Sequence, residues 1–349
     1  MRLLLLTAYR LLFGSASIPV GWRRTMAERE DGRIFVEQRS TSTQSPWVDG
    51  MSLATSELVD RPLIQSALLA TTSFVLLSPQ LRHRPVLINA LLVTATLSAL
   101  LLFAWRVAIS LDQIPLLLFE RVFDGTPRRW CLLMFWFMCM LASMIFCVVV
   151  SVTNQSSTVH RKFFHLTISM IAISGLRHDP DFVVLSAFVM ACIFVILEVL
   201  RSAKVPPWHK KLDEWLLVFL DAQDSRERIL TPIFLIIGIF LPVFLNPPGA
   251  DHAIHAYHYA GVVTVGIGDS AAAIIGSKLG RYHWKRSRKT IEGSVAMWLS
   301  QIAGVFILCP SGEVSVFWTF IVCALCAALE AGLRKGDNVI LPFFCYLLL

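Results

Sequence analysis

The stretch GIGDSAAAIIGSKLG, residues 266–280, lies in the most apolar half of the chain and places an acid, Asp269, among small residues. With the apolar residues before it, the stretch is long enough to cross a bilayer. A carboxylate at the centre of such a helix costs about 2.5–3.5 kcal/mol on insertion scales. The acid must therefore have a partner or a use. The stretch runs directly into RYHWKRSRKTIEG (281–293). There Arg281, Lys285, Arg286, Arg288 and Lys289 follow one another with no acid before Glu292.

The rest of the sequence fits a membrane setting. Of 349 residues, 56% are hydrophobic and only 16% charged, with a mean hydropathy of +0.65. A soluble domain could not hide that much apolar surface, so the expected fold class is all-α, a polytopic integral membrane protein. Apolar runs fall at 63–81, 86–109, 130–152, 163–177, 182–200, 229–246, 260–279, 291–309, 315–333 and 338–349. Several are shorter than the length a span needs, which sets the expected number of transmembrane helices at roughly 9–11. The chain divides into three regions. Residues 1–60 read as a signal-anchor-like or disordered segment, 61–155 as N-terminal transmembrane helices, and 156–349 as the transmembrane domain that carries the chemistry.

The net charge is +7, and the basic residues gather between apolar runs. This is a topology signal, not a nucleic-acid footprint. The loop 280–289 is densely basic, whereas 246–260 and 310–315 contain no Lys or Arg. Alternation puts 280–290, 201–228 and the helix start at 159–166 in the cytosol. Arg121, Arg128 and Arg129 then fall on the opposite side, against the rule. The eight cysteines all lie in apolar runs, where they act as small hydrophobes. Cys323 and Cys326 form a CxxC without a second pair or a flanking His. His252, His255 and His258 have a ligand-like spacing but fall opposite the basic loop.

The small residues around Asp269 have two readings, and the residues alone leave both open. Gly276 and Gly280 form a GxxxG, which lets membrane helices pack closely. The same residues let backbone N–H groups approach a phosphate, with the basic loop supplying charge. A P-loop is excluded, because no GxxxxGK[ST] occurs. Asp269 near the interface is suited to Mg²⁺ shared with phosphate oxygens. Thr290 is placed to cap the next helix. Glu292 either complements that helix's dipole or joins Asp269 at the same rim. Other polar candidates are Arg161, Lys162 and His165 at a helix start, Glu198 near a helix end, Asp221 and Asp224 in a loop, and Asp337 and Asn338 interrupting the last apolar run. For each, the alternative is a structural role: interfacial anchoring, solvation or a hydrogen-bonded pair.

The pattern D-x-x-A-x-x-x-G-x-x-x-G, then seven residues, then [KR]-K-T-x-E-G comprises Asp269, Ala272, Gly276, Gly280, Arg288, Lys289, Thr290, Glu292 and Gly293. It resembles the CTP-dependent polyprenol kinases, and the dolichol kinases best. The stretches RKFFHL (161–166), LEVLR (197–201), FLDAQDS (219–225), LTPIFLIIG (230–238) and LEAGLRKGDNVILP (329–342) extend the resemblance over roughly 160–345. Members of that family usually carry more helices before this region, so the N-terminal part is expected to be short here.

The resemblance implies phosphoryl transfer from CTP to the hydroxyl of dolichol, giving dolichyl phosphate and CDP for N-glycosylation and other dolichol-linked glycosylation. It implies a multi-pass protein of the endoplasmic reticulum membrane with the CTP site facing the cytosol. Its partners would be dolichol, bilayer lipid and CTP; the sequence points to no nucleic acid and to no particular protein partner. On this reading Asp269, Lys289 and Glu292 are catalytic, and Asp269 and Glu292 hold Mg²⁺ or another divalent cation. Gly276, Ser277, Lys278, Gly280, Arg281, Lys285, Arg286, Arg288, Lys289, Thr290 and Gly293 bind the nucleotide. The competing functions are a CDP-diacylglycerol-type cytidylyltransferase, whose members share a similar motif, a CTP-dependent phytol or diacylglycerol kinase, and a non-enzymatic transporter or scaffold.

Overall fold

The computed structural model describes residues 46–153, 158–216, 228–248, 253–285, 287, 289–309, 314–333 and 335–349, without the side chains of 46–57 and 151–161. Asp221, Asp224, Arg286, Arg288 and the side chain of Arg161 lie outside the described residues.

Twelve α-helices and no strand occur among the described residues. They are α1 (Pro46–Leu77), α2 (Pro85–Val107), α3 (Ile114–Val122), α4 (Pro127–Thr153), α5 (Thr158–His178), α6 (Pro180–Ser202), α7 (Trp208–Leu216), α8 (Thr231–Leu245), α9 (Asp269–Leu279), α10 (Ile291–Leu308), α11 (Val316–Gly332) and α12 (Asp337–Leu348). Local sequence explains where several begin. Proline occupies the first turn of α2, α3, α6 and α8, where its missing N–H costs nothing. Asp179 caps α6 by accepting from the Phe182 N–H, and Thr290 caps α10 by accepting from the Gly293 N–H.

Six helices are long and apolar enough to cross a membrane, and α8, α11 and α12 are shorter apolar helices. The fold class expected from composition is therefore the one observed. The apolar windows of α2 and α4 are only 11% buried, against 50% for α6 and 56% for the segment 256–279. So α2 and α4 turn side chains such as Trp105 and Met138 outward, while α6, α8 and 256–279 form the interior. Phe188 on α6 and Phe244 on α8 meet there with ring centroids 4.1 Å apart, beside the fully buried Val262 and Val265.

Two of the three N-terminal arginines that sit badly with the charge alternation, Arg121 and Arg129, have structural partners, while Arg128 is exposed. Arg121 makes a two-pronged bond to Asp60, at 2.7 and 2.5 Å. Buried Arg129 pairs with Asp124 at 3.3 Å and with Asp179, and its guanidinium lies 4.0 Å from the centroid of Phe182. Both tie helices together, a cause for their position that the loop rule does not consider.

Candidate active site

The span expected at 260–279 is not one uniform helix. A 3₁₀ turn (Ala256–Tyr259) is followed by a π-helical turn (Val262–Gly268), and α9 starts at Asp269. Single π turns are rare and occur frequently at functional sites. Here the turn is almost wholly buried and delivers Asp269 to the wall of a cleft.

On the facing wall, Lys162 and His165 lie one turn apart on α5. Lys162 Nζ donates to Asp269 Oδ2, and His165 Nε2 is 3.7 Å from the same oxygen. The costly acid thus has its cationic partner. All three side chains are largely buried, so their attraction is little screened by water.

The basic loop folds as a small hairpin. His283 bridges Thr290, the Trp284 N–H donates to the Lys289 carbonyl at 3.0 Å, and the Ile291 N–H donates to the Tyr282 carbonyl at 2.8 Å. The indole N–H of Trp284 pins the hairpin to α10 through Ser294 Oγ at 3.0 Å. Glu292 Oε1 accepts from the backbone N–H groups of Arg281 and Tyr282, at 2.9 and 3.2 Å. Lys289 reaches the third wall: its Nζ lies 2.6 Å from Glu330 Oε1 on α11 and 3.6 Å from Asp337 Oδ2 on α12.

These walls enclose a cleft of about 490 Å³. Of the residues expected at the site, Lys162, His165, Asp269, Gly276, Ser277, Lys289, Thr290, Gly293, Asp337 and Asn338 line it. Lys278, Arg281 and Lys285 are exposed and, with Gly280 and Glu292, are not in the lining. Gly280 serves packing: a Cβ there would sit 2.3 Å from the Gly276 carbonyl and 2.5 Å from Thr290 Cγ2. Gly276 has both uses, lining the cleft and admitting Thr290 Oγ1 to within 2.8 Å of where a Cβ would be.

Glu198 stands apart from the lining. It holds Arg201 by two bonds of 2.8 Å and accepts the Ile229 N–H at 2.9 Å. Arg201 also bonds Asp213 at 2.7 Å. The cluster anchors the chain just ahead of Thr231, which does line the cleft. His258 is used structurally too: Nδ1 accepts the His255 N–H at 3.0 Å, and Nε2 lies 3.1 Å from the Asn246 carbonyl.

Sequence reasoning missed Thr231, His283, Ser294 and Glu330 in the lining. Glu330 had a readable signal, being an acid inside an apolar run like Asp269. The other three are ordinary polar residues whose place depends on the fold.

An all-helical, polytopic membrane protein with a charged cleft where six helices and a basic hairpin converge is the class that fold and site define. Within that class the chain is similar to dolichol kinases of animals, plants and yeasts. It is 31% identical to the human dolichol kinase over 74% of this chain and 51% of that protein. It is 34% identical to the bovine dolichol kinase over 67% of this chain and 47% of that protein. It is 26% identical to the Saccharomyces cerevisiae dolichol kinase over 56% of this chain and 37% of that protein. These similarities support assignment of the chain to the dolichol kinase family. The chain spans about half the length of the human and bovine relatives. No family model matches it, and no solved structure does.

Proposed function

We propose that the chain is a dolichol kinase that uses CTP as phosphoryl donor, acting in the endoplasmic reticulum membrane with its nucleotide site facing the cytosol. The observation that carries the reading is the meeting of Lys162, Asp269 and Lys289 in one cleft, in a chain similar to dolichol kinases. Dolichol is too apolar to leave the bilayer, so its hydroxyl is presented at headgroup level. CTP is anionic and water-borne. A cleft that joins apolar helices to a cationic hairpin suits both.

Phosphoryl transfer asks a protein for positioning and charge stabilisation. The alcohol oxygen attacks the γ-phosphorus, the bond to the β–γ bridging oxygen breaks, and CDP leaves with that electron pair. Lys289 and the exposed cations of the hairpin region hold the phosphates. Asp269 takes the alcohol's proton or holds Mg²⁺; both roles need its negative charge, and Lys162 favours that charge. Asp269 is a hard oxygen donor in the cleft lining, and Mg²⁺ is commonly bound by one or two carboxylates plus substrate phosphates. No group of three or more metal-ligating side chains occurs among the described residues, so Asp269 would hold the ion together with the nucleotide. The ion, when bound, neutralises charge on the phosphate oxygens. Glu292 is engaged with backbone N–H groups of the hairpin, and we assign it to holding that loop.

The deciding experiment offers labelled CTP with dolichol, phytol, diacylglycerol or phosphatidate to the purified protein. Dolichyl phosphate and CDP are expected. Release of pyrophosphate with a CDP-lipid would make the protein a cytidylyltransferase, and failure to bind CTP would leave a non-enzymatic role.

Orientation has its own test. With the eight native cysteines replaced, a Cys at Ser287 is expected to react with an impermeant thiol reagent from the outside of sealed microsomes. CTP with Mg²⁺ should slow that reaction. A Cys at Ala253 is expected to react only after the membrane is opened. The reverse pattern would invert the C-terminal topology and remove the reason for a cytosolic nucleotide site.

A further inference from the structure

We propose that Glu330 is a positioning residue for Lys289, and through it for the phosphate chain of the nucleotide; the inference rests on the function proposed above. A lysine ammonium has three N–H donors. In this structure Glu330 engages two of them: Nζ lies 2.6 Å from Glu330 Oε1 and donates to the Glu330 backbone carbonyl at 2.8 Å. Asp337 Oδ2, at 3.6 Å, is beyond hydrogen-bond range and contributes charge alone. Two points of attachment on one residue fix where the ammonium sits and leave its third donor for a phosphate oxygen.

Exposure supports this division. The Glu330 side chain is 6% exposed and that of Lys289 27% exposed. The acid is hidden and the cation is presented to the cleft. A carboxylate in an apolar helix is expensive and is retained for a purpose. Lysine is a flexible point charge that needs an external hold to act directionally. Glu330 supplies that hold from α11, an element separate from the hairpin that carries Lys289.

The bond has one alternative use, simply docking the hairpin onto α11. Kinetics separate the two. The test compares full-length wild type, Glu330→Ala, Glu330→Gln, Lys289→Ala and the Glu330→Ala/Lys289→Ala double variant in lipid nanodiscs. It measures equilibrium binding of labelled CTP with Mg²⁺ and the KM values for CTP and dolichol. Glu330→Ala is expected to weaken CTP binding and raise the CTP KM about tenfold, with the dolichol KM unchanged. Glu330→Gln keeps an acceptor and is expected to lose only about threefold. The double variant should bind CTP no worse than Lys289→Ala alone, because the effect of Glu330 passes through that lysine.

Equal losses for both substrates, or effects that multiply in the double variant, would overturn the proposal in favour of docking. A wild type that binds and turns over CTP while Glu330→Ala is silent sinks this inference alone. A wild type that binds CTP without transferring its phosphate removes the kinase reading, while the binding cycle still decides the role of Glu330. A wild type that does not bind CTP removes both.

Discussion

Asp269→Asn is expected to abolish phosphoryl transfer while the protein still inserts and folds. The carboxylate is buried and accepts from Lys162. The amide keeps an oxygen for that bond and loses the charge. Removing an intramembrane charge eases insertion, so expression and helical content should hold. As acceptor of the alcohol's proton, Asp269 accounts for about 10²–10⁴-fold in rate; as a holder of Mg²⁺ it is needed for the ion. Either way turnover in the labelled-CTP assay should fall by at least that range. An Asn variant with near-normal turnover would rule out both roles and move the chemistry to another wall of the cleft.

The second large effect is on stability. Arg201→Met should destabilise the protein by about 3–5 kcal/mol, the usual loss when one member of a buried ion pair is removed. The side chains of Arg201 and Glu198 are 4% and 8% exposed. Methionine fills much of the arginine's volume but leaves the Glu198 carboxylate with only the Ile229 N–H among these contacts. The Asp213 bond from α7 goes as well. Unfolding of the detergent-solubilised protein, followed by circular dichroism, should show the drop. An unchanged midpoint would mean that the pair contributes no net stability, and that the segment leading to Thr231 is held by apolar packing alone.

Much of the fold was legible in the sequence, because membrane insertion writes itself into composition. Long apolar runs have few alternatives to helix when every backbone group must be satisfied internally. Asp269 was legible for the same reason: its cost stands out against apolar neighbours. The small-residue stripe was ambiguous, since close helix packing and close phosphate approach both need missing side chains; Gly276 packs against Thr290 and also lines the cleft. The place of Glu292 was not legible. Its spacing from Lys289 suggested a shared rim, but hairpin closure turns the carboxylate to the Arg281 and Tyr282 N–H groups. Helix α7 was read only as part of a cytosolic loop, because WHKKLDEWL is too polar for a span and its amphipathic turns are short. The π-helical turn had no sequence signal at all. It packs closely against its neighbours in space: a Cβ on Gly266 would meet Ser169 of α5 and one on Gly268 would meet Gln301 of α10.

That turn carries a constraint of a different kind. A π turn contains roughly one residue more than an α turn, and one residue corresponds to about 100° of rotation. In the present register Gly266 lies against Ser169, and three residues later Asp269 meets Lys162 on the same helix. What must be conserved between 262 and 268 is therefore a count as much as a set of side chains. Volume-conserving swaps among its apolar side chains can be absorbed by repacking, whereas Gly266 and Gly268 leave no room for a Cβ. A one-residue deletion that restored regular α-helix would swing the carboxylate away from α5, leaving every residue of the cleft present and the site dismantled.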